Sequence, residues 1–386
     1  MASRAELLST KVTDRAVRRL AANSSGLLRA FGLQPGGRNV NPVRTRQGGY
    51  DIFDDTRTVG QHSTPGTPAK TIRRQPVGRV NYYIPRMAEQ LFLTDEELYG
   101  NRPIGGDGGD IDLTGRSEIA RQQRFLGQRT ANWRLALFGG LIRGKVHVYK
   151  KGDNEYLTYS TGGNSGAQKL FTVNYQHEST HTAQLDMGTG SNILDASWDT
   201  ATTDIPGHIL SINRAFKRQS GGRLGSVIVN SNTWKHVIKN DEVKAIAGTT
   251  NTPYTEWTRG NDLDSDTSLP NTTMRAVIPG LPGVEWYITD EVIDIGPEGA
   301  ESTTDLVPDG YAFFGPAASD RNDLFGMMEC PEPIVERPGG PSVPRTGSYS
   351  WTFSSMNPAG TSLFSHDNSL PALYVPKAVA YGQVAF

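Results

Sequence analysis

His177-Glu178-Ser179-Thr180-His181 has the spacing of a zinc-hydrolase motif, with two imidazoles four residues apart and a carboxylate beside the first. On a helix the two rings stand about 6 Å apart, so both reach one Zn²⁺ while the glutamate polarises its water. The chemistry therefore requires a helix. The flanks spell a strand instead. Phe171, Val173 and Tyr175 alternate with polar residues upstream, and Ala183, Leu185 and Met187 alternate with Thr182, Gln184 and Asp186 downstream. On a strand rising about 3.3 Å per residue, positions four apart are roughly 13 Å from each other, too far to share an ion bound at about 2 Å. Gln184 and Met187 also stand where a metzincin carries glycine and histidine. The sequence predicts an extended, metal-free 177–181 segment; the rival zinc hydrolase predicts metal content and loss of activity on His177→Ala.

Other groups offer less chemistry. Asp107, Asp110 and Asp112 lie in a glycine-rich run, but they miss the 1, 3, 5 and 12 ligand spacing of an EF-hand, so the run reads as a loop. Cys330 is the single cysteine, which excludes an internal disulfide framework; with proline after it and no positioned histidine, it reads as a buried structural thiol. No paired acid and base, phosphate-cradling glycine loop or metal set stands out, and neither an enzyme activity nor a cofactor is expected.

The elements that would position these groups come from composition and periodicity. Only 36% of residues are hydrophobic, while Gly 43 and Pro 23 make up about one residue in six, so much of the 386-residue chain must be turn, loop or extended arm. No apolar run is long enough to span a membrane, and charges from Arg4 to Arg19 break any signal-peptide core; a soluble protein that stays where it is made is expected. The net charge of −1 hides a separation: residues 1–151 carry 25 Lys and Arg against 13 Asp and Glu, whereas 241–337 carry 5 against 19. Such asymmetry points to nucleic acid near one face or to complementary contacts between copies, against the plainer reading of two solvated faces.

An amphipathic helix is predicted over 5–22, with Leu8, Val12, Ala16 and Leu20 on its stripe and Arg15, Arg18 and Arg19 off it. Residues 34–75 read as an arm too polar to bury a core of its own, which would lie on another subunit. The strongest helix runs from about Thr114 to Ile142. Its stripe holds Ile119, Leu126 and Trp133, widened by Phe125, Leu137 and Leu141, with Arg116, Arg121, Arg124, Arg129, Arg134 and Arg143 on other faces. At ~1.5 Å per residue it is about 40 Å long, a spine. Strands follow at 145–149, 155–159 and 169–175, then a helix over 205–218, a strand over 224–229 and a helix capped by Asn232-Thr233 and running to about Ile246. Strands return at 274–278, 284–288 and 310–314. A Gly/Pro/Ser-rich connection over 337–369 leads to a final strand that reaches Phe386.

Three stretches in this order resemble the major capsid proteins of tailed bacteriophages, in the lambda-type (E family) branch of the Hong Kong 97-type fold. A long arm and loop precede the spine helix, which closes at glycine before a β hairpin. Trp198-Asp199-Thr200-Ala201-Thr202-Thr203-Asp204-Ile205 leads through a helix and Ser226-Val227-Ile228-Val229 into Asn232-Thr233-Trp234-Lys235. Leu281-Pro282-Gly283-Val284-Glu285-Trp286-Tyr287 is followed by Leu306-Val307-Pro308-Asp309-Gly310-Tyr311.

The resemblance implies an α+β shell protein with an N-terminal arm (1–46), an extended loop (47–112), a peripheral domain on the spine helix (113–194) and an axial domain (195–336). The connection (337–369) and a C-terminal strand returning to the peripheral domain (370–386) complete it. It implies a homo-oligomer of hexamers and pentamers in an icosahedral head, assembled in the host cytoplasm, that encloses double-stranded DNA bound non-specifically. Portal, scaffold and decoration proteins are the implied partners, and no membrane is. Arg15, Arg18, Arg19, Arg121 and Arg124 are candidates to face DNA. Arg73, Arg74, Arg79, Tyr82, Tyr83 and Arg86 are candidates for contacts between subunits. An encapsulin-type nanocompartment shares the shell fold and stays open as an alternative.

Overall fold

The computed structural model describes residues 8–23, 25–52, 78–94, 111–152, 154–161, 166–183, 185–187, 190–220, 222–249, 261–262, 273–278, 281, 283–297, 299–317, 325–335, 340–356 and 359–386. The fold is α+β. A 33-residue spine helix, Ile111–Arg143, supports a set of small sheets, and a larger mixed sheet is packed with three helices.

The spine ends where Gly144 takes φ +85°, a left-handed value that suits glycine and closes the last turn. Ile119, Leu126, Leu137 and Leu141 are buried as the periodicity requires, whereas Phe125 is 44% exposed and lies under the Arg129 guanidinium. Along the first half of the spine lies the N-terminal helix Thr10–Asn23. Its buried face is Thr13, Val17 and Ala21, one position on from the expected stripe, and Val12 faces outward. The shift follows from close approach: Gly127 of the spine leaves room where a Cβ would meet Leu20 at 2.7 Å and the Val17 carbonyl at 3.2 Å.

After the spine comes a three-stranded antiparallel sheet, in the order Asn154–Thr158, Lys145–Lys151, Gln168–Asn174. A seven-stranded mixed sheet runs Asn261–Asp262, Thr273–Val277, Glu285–Thr289, Ser226–Val229, Tyr311–Gly315, Ala380–Gln383, Thr182–Ala183. Helices Ile205–Gln219, Ser231–Lys239 and Asp241–Thr249 accompany it, and Trp198, Trp234, Trp286 and Phe314 fill the core between them. The helix expected to run unbroken to Ile246 is two helices. Asn230, not Asn232, caps the first, and Asn240 adopts an extended conformation to cap the second through Val243 N. The Asn240 amide also donates to the carbonyls of Ala201 and Thr203, which fixes the break.

Two further expectations are corrected. Residues 337–369 are mainly strand, not a bare connection: Ser342–Thr346, Tyr349–Met356 and Ala359–Asp367 lie there, and the last two pair with Met87–Thr94 in one antiparallel sheet. Serine and threonine read as loop-formers in sequence, but Ser350, Thr361, Ser362 and Ser365 are buried in the ladder with hydroxyl partners such as Ser350–Ser365. The chain end is not one strand either. Ser369–Leu373 pairs with Phe325–Glu329 near the spine, a short 3₁₀ turn follows at Pro376–Ala378, and Ala380–Gln383 enters the seven-stranded sheet beside Tyr311–Gly315.

Candidate assembly and nucleic-acid surfaces

The HESTH segment is neither the zincin helix nor the extended run expected. Ser179–His181 is one 3₁₀ turn, followed by the two-residue strand Thr182–Ala183 that borders the large sheet. The period-2 pattern misled here because Gln176, Leu185 and Met187 take positive φ and interrupt any strand. His181 bonds the Val379 carbonyl through Nδ1 at 2.8 Å and Gln219 Oε1 through Nε2 at 2.5 Å, so both nitrogens are engaged by the fold. The His177 ring packs on Gly144 at the end of the spine, and burial, the largest cause, pushes its pKa down to about 4. Among the described residues no three His, Cys, Asp or Glu side chains are grouped to hold a metal. Cys330 is buried, and burial raises its thiol pKa to about 11, so the nucleophilic thiolate is suppressed. Asp107, Asp110 and Asp112 lie outside the residues whose side chains are described.

The basic candidates lie on two packed helices. Arg15 and Arg19 are exposed on the N-terminal helix, and Arg121 and Arg124 are exposed on the stretch of spine beneath it. Two of the set carry local counter-charges: Arg18 bonds Asp14 at 3.1 Å and Arg121 bonds Glu118 at 2.7 Å. Such exposed i,i+4 and i,i+3 pairs are weak and leave both guanidiniums near the surface.

Of the loop candidates, Arg79, Tyr82 and Tyr83 lie in a pair of strands. Strands Gln47–Ile52 and Gly78–Tyr83 pair antiparallel, with Arg79 opposite Asp51, Tyr82 opposite Gly48 and Tyr83 opposite Gln47. Tyr82 stacks with Tyr50, and Tyr83 meets Phe171 edge-on at 4.6 Å, which docks the hairpin on the three-stranded sheet. Arg86 pairs with Glu332 at 2.8 Å within the chain. Arg73 and Arg74 lie outside the described residues. The described parts of 34–94 are thus bound into this chain's own core more than their composition suggests: Tyr50, Val80 and Ile84 are buried, Val40–Pro42 pairs with Phe325–Glu329, and Met87–Thr94 pairs with Ala359–Asp367.

Sequence reasoning missed a buried charged cluster. Arg134, placed above among the outward arginines, is fully buried. Its Nε donates to Asp367 Oδ2 at 2.6 Å, one terminal nitrogen to Glu329 Oε1 at 2.6 Å and the other to the Leu33 carbonyl at 3.2 Å. The two carboxylates hold the guanidinium charged despite burial, raising its pKa. One side chain therefore ties the N-terminal arm, the spine, the 325–329 strand and the C-terminal hairpin together. Beside it His366 is buried, which pushes its pKa down to about 4, and Asn368 donates to Glu332, the partner of Arg86. A signal existed in the sequence: Arg134 falls at i+4 from Thr130 and i−3 from Leu137, on the buried stripe.

No family model matches the chain, and no curated protein does. Among solved structures it is similar to a prophage protein of Escherichia coli CFT073 described as a capsid protein, at 11% identity over 80% of each chain and a TM-score of 0.48. It is similar to the mature capsid of bacteriophage PhiM1 at 10% identity over 89% of this chain and 85% of that one, with a TM-score of 0.41. It also aligns with the SrpI encapsulin of Synechococcus elongatus PCC 7942 at 7% identity over 90% and 86% of the chains, with a TM-score of 0.40. At such identities and TM-scores the likeness carries no weight of its own, and assignment falls to the residues of this chain.

Proposed function

We propose that this chain is a structural shell protein, the major capsid protein of a tailed bacteriophage with the Hong Kong 97-type fold in its lambda-type branch. The observation that carries the reading is the order of parts on one spine. A 33-residue helix receives an N-terminal helix along its first half, precedes a three-stranded sheet and is joined by the C-terminal hairpin through Arg134. That order supports the parts the resemblance implies, including the hairpin of the extended loop at 47–83 and an axial domain around the seven-stranded sheet. The protein acts by assembly rather than catalysis. Copies close into an icosahedral head around double-stranded DNA, and portal, scaffold and decoration proteins are its partners in the host cytoplasm.

Arg15, Arg18, Arg19, Arg121 and Arg124 face the packaged DNA on this reading, because each cation near phosphate releases counterions. Arg79, Tyr82, Tyr83 and Arg86, with Arg73 and Arg74, meet neighbouring subunits. Expression of the chain followed by sedimentation and electron microscopy tests the reading. Closed particles are expected, and a chain that stays monomeric at every concentration overturns it. Particles that hold a protein cargo and no nucleic acid in the phage-infected host would assign it to a nanocompartment instead. Reversal of Arg15, Arg18 and Arg19 to Glu should leave empty shells forming while shortening or releasing the packaged DNA; a block to assembly without DNA would move these arginines to subunit contacts.

A further inference from the structure

The three-stranded sheet and the hairpin beside it end in opposite charges. At one border the strand Gln168–Asn174 is bonded on one side only among the described residues. Its register with the central strand jumps so that Lys169 faces Tyr149 and Phe171 faces Val148. Leu170 is the extra residue of that bulge and stands 39% exposed. Lys169 and, on the neighbouring strand, Lys145 are exposed, and neither has an ion-pair partner among the described residues. Their charges act together on His147, whose pKa is lowered by burial and then by each of the two lysines.

At the other border, next to the strand Asn154–Thr158, lies the hairpin Val292–Ile295 and Ser302–Asp305. Ile293 and Ile295 turn inward to the core, while Val292 is 53% exposed. Asp305 is directly opposite Val292, Asp294 is two residues along the same face, and Glu301 follows at the turn; all three are exposed. Asp294 accepts a hydrogen bond from the Thr303 hydroxyl, and none of the three forms an ion pair with a described basic side chain.

Each border thus presents one exposed aliphatic side chain beside a surplus of one charge: two lysines, on the edge strand and its neighbour, at one, and three carboxylates at the other, where the Arg143 guanidinium also donates to the Asp305 main-chain carbonyl. Unlike surfaces at opposite borders make a heterologous contact, which closes into a ring when the rotation between copies allows. We propose that the Lys145, Lys169 and Leu170 border of one copy seats on the Val292, Asp294, Glu301 and Asp305 border of the next, head to tail, around the capsomer ring. The inference rests on the shell reading above. A polyanion on the lysines would account for one border only; a second copy accounts for both, brings Leu170 to Val292, and covers an open strand edge.

The test uses the full chain in three variants: Lys145→Glu with Lys169→Glu, Asp294→Lys with Asp305→Lys, and all four together. Each double reversal is expected to raise the concentration at which oligomers form by about tenfold or more in sedimentation, with unchanged thermal unfolding because the four side chains are exposed. The four-fold exchange is expected to restore assembly to near the wild-type concentration. Variants that all assemble like wild type overturn the contact alone, as does a four-fold variant that is worse than either pair. Normal shells that lose nucleic acid in the lysine variant would give that border to DNA and overturn the contact. A wild-type chain that remains monomeric removes the shell reading and this contact with it.

Discussion

Around Trp286 the seven-stranded sheet and its helices close on aromatic rings: Trp198 lies 6.2 Å and Trp234 5.4 Å from it between ring centroids, and Phe314 meets Trp198 edge-on. Around Arg134 four segments far apart in sequence meet on charge, with hydrogen bonds that span 101, 195 and 233 residues. The first region buries apolar area and gains packing; its residues can be exchanged for others of similar volume. The second pays desolvation for two carboxylates and a guanidinium and recovers it through geometry. Apolar packing holds the sheet together, whereas the charged cluster specifies which distant segments join the spine.

The sharpest way to break this comparison is to remove one partner on each side. Arg134→Leu should cost roughly 3–5 kcal/mol, because Asp367 is left buried without its counter-charge. Trp286→Ala should cost a similar ~3–5 kcal/mol through the cavity it opens. Urea midpoints measure both, and a second change separates them. Asp367→Asn added to Arg134→Leu should recover part of the loss, because the stranded charge is gone. A double variant no better than Arg134→Leu alone would mean that shape, not charge, governs the cluster.

Acid should distinguish the regions next. His366, beside the cluster, and His177, at the end of the spine, both have folded pKa values of about 4, below the value of about 6.5 for an unfolded histidine. Between these limits the unfolded chain binds more protons. The stability from each neutral histidine is complete above about pH 6.5 and is lost as pH falls toward about 4, by roughly 3 kcal/mol per residue. His366→Phe should flatten denaturant midpoints over that window. An unchanged slope in that variant would remove His366 from the acid response.

Smaller effects sharpen the picture. Asn240→Ala, which loses the cap on the second helix and both bonds to the 201–203 turn, should cost about 1–2 kcal/mol in the apolar region. A loss below a few tenths would show that the turn holds without it. Arg86→Ala removes a partly exposed pair with Glu332 and should cost less than about 1 kcal/mol, shrinking further in high salt. A larger, salt-independent loss would place Arg86 within the buried cluster rather than at its rim.

Much of the fold was legible because periodic burial leaves a periodic trace. The spine, the strands after it, the helix at 205–219 and the strands around Trp286 all follow from stripes and alternations that a single element must satisfy to bury one face. The failures share a different cause. At 337–369 serine and threonine hydroxyls pair with each other across buried strands, so polarity no longer marks a loop. At 177–187 three residues with positive φ stop a strand that alternation alone would continue. The basic and acidic thirds were visible as composition, but which of their side chains are exposed was not.

By itself the sequence determined the α+β class, the long spine and the charge separation, since each is local or additive along the chain. The tertiary structure alone decided that Arg134 turns inward, that His177 and His181 serve packing and backbone carbonyls, and that the chain end divides between two sheets. Those outcomes depend on partners hundreds of residues away. A buried charge or histidine is tolerable only where such a partner arrives, and no local pattern records the arrival.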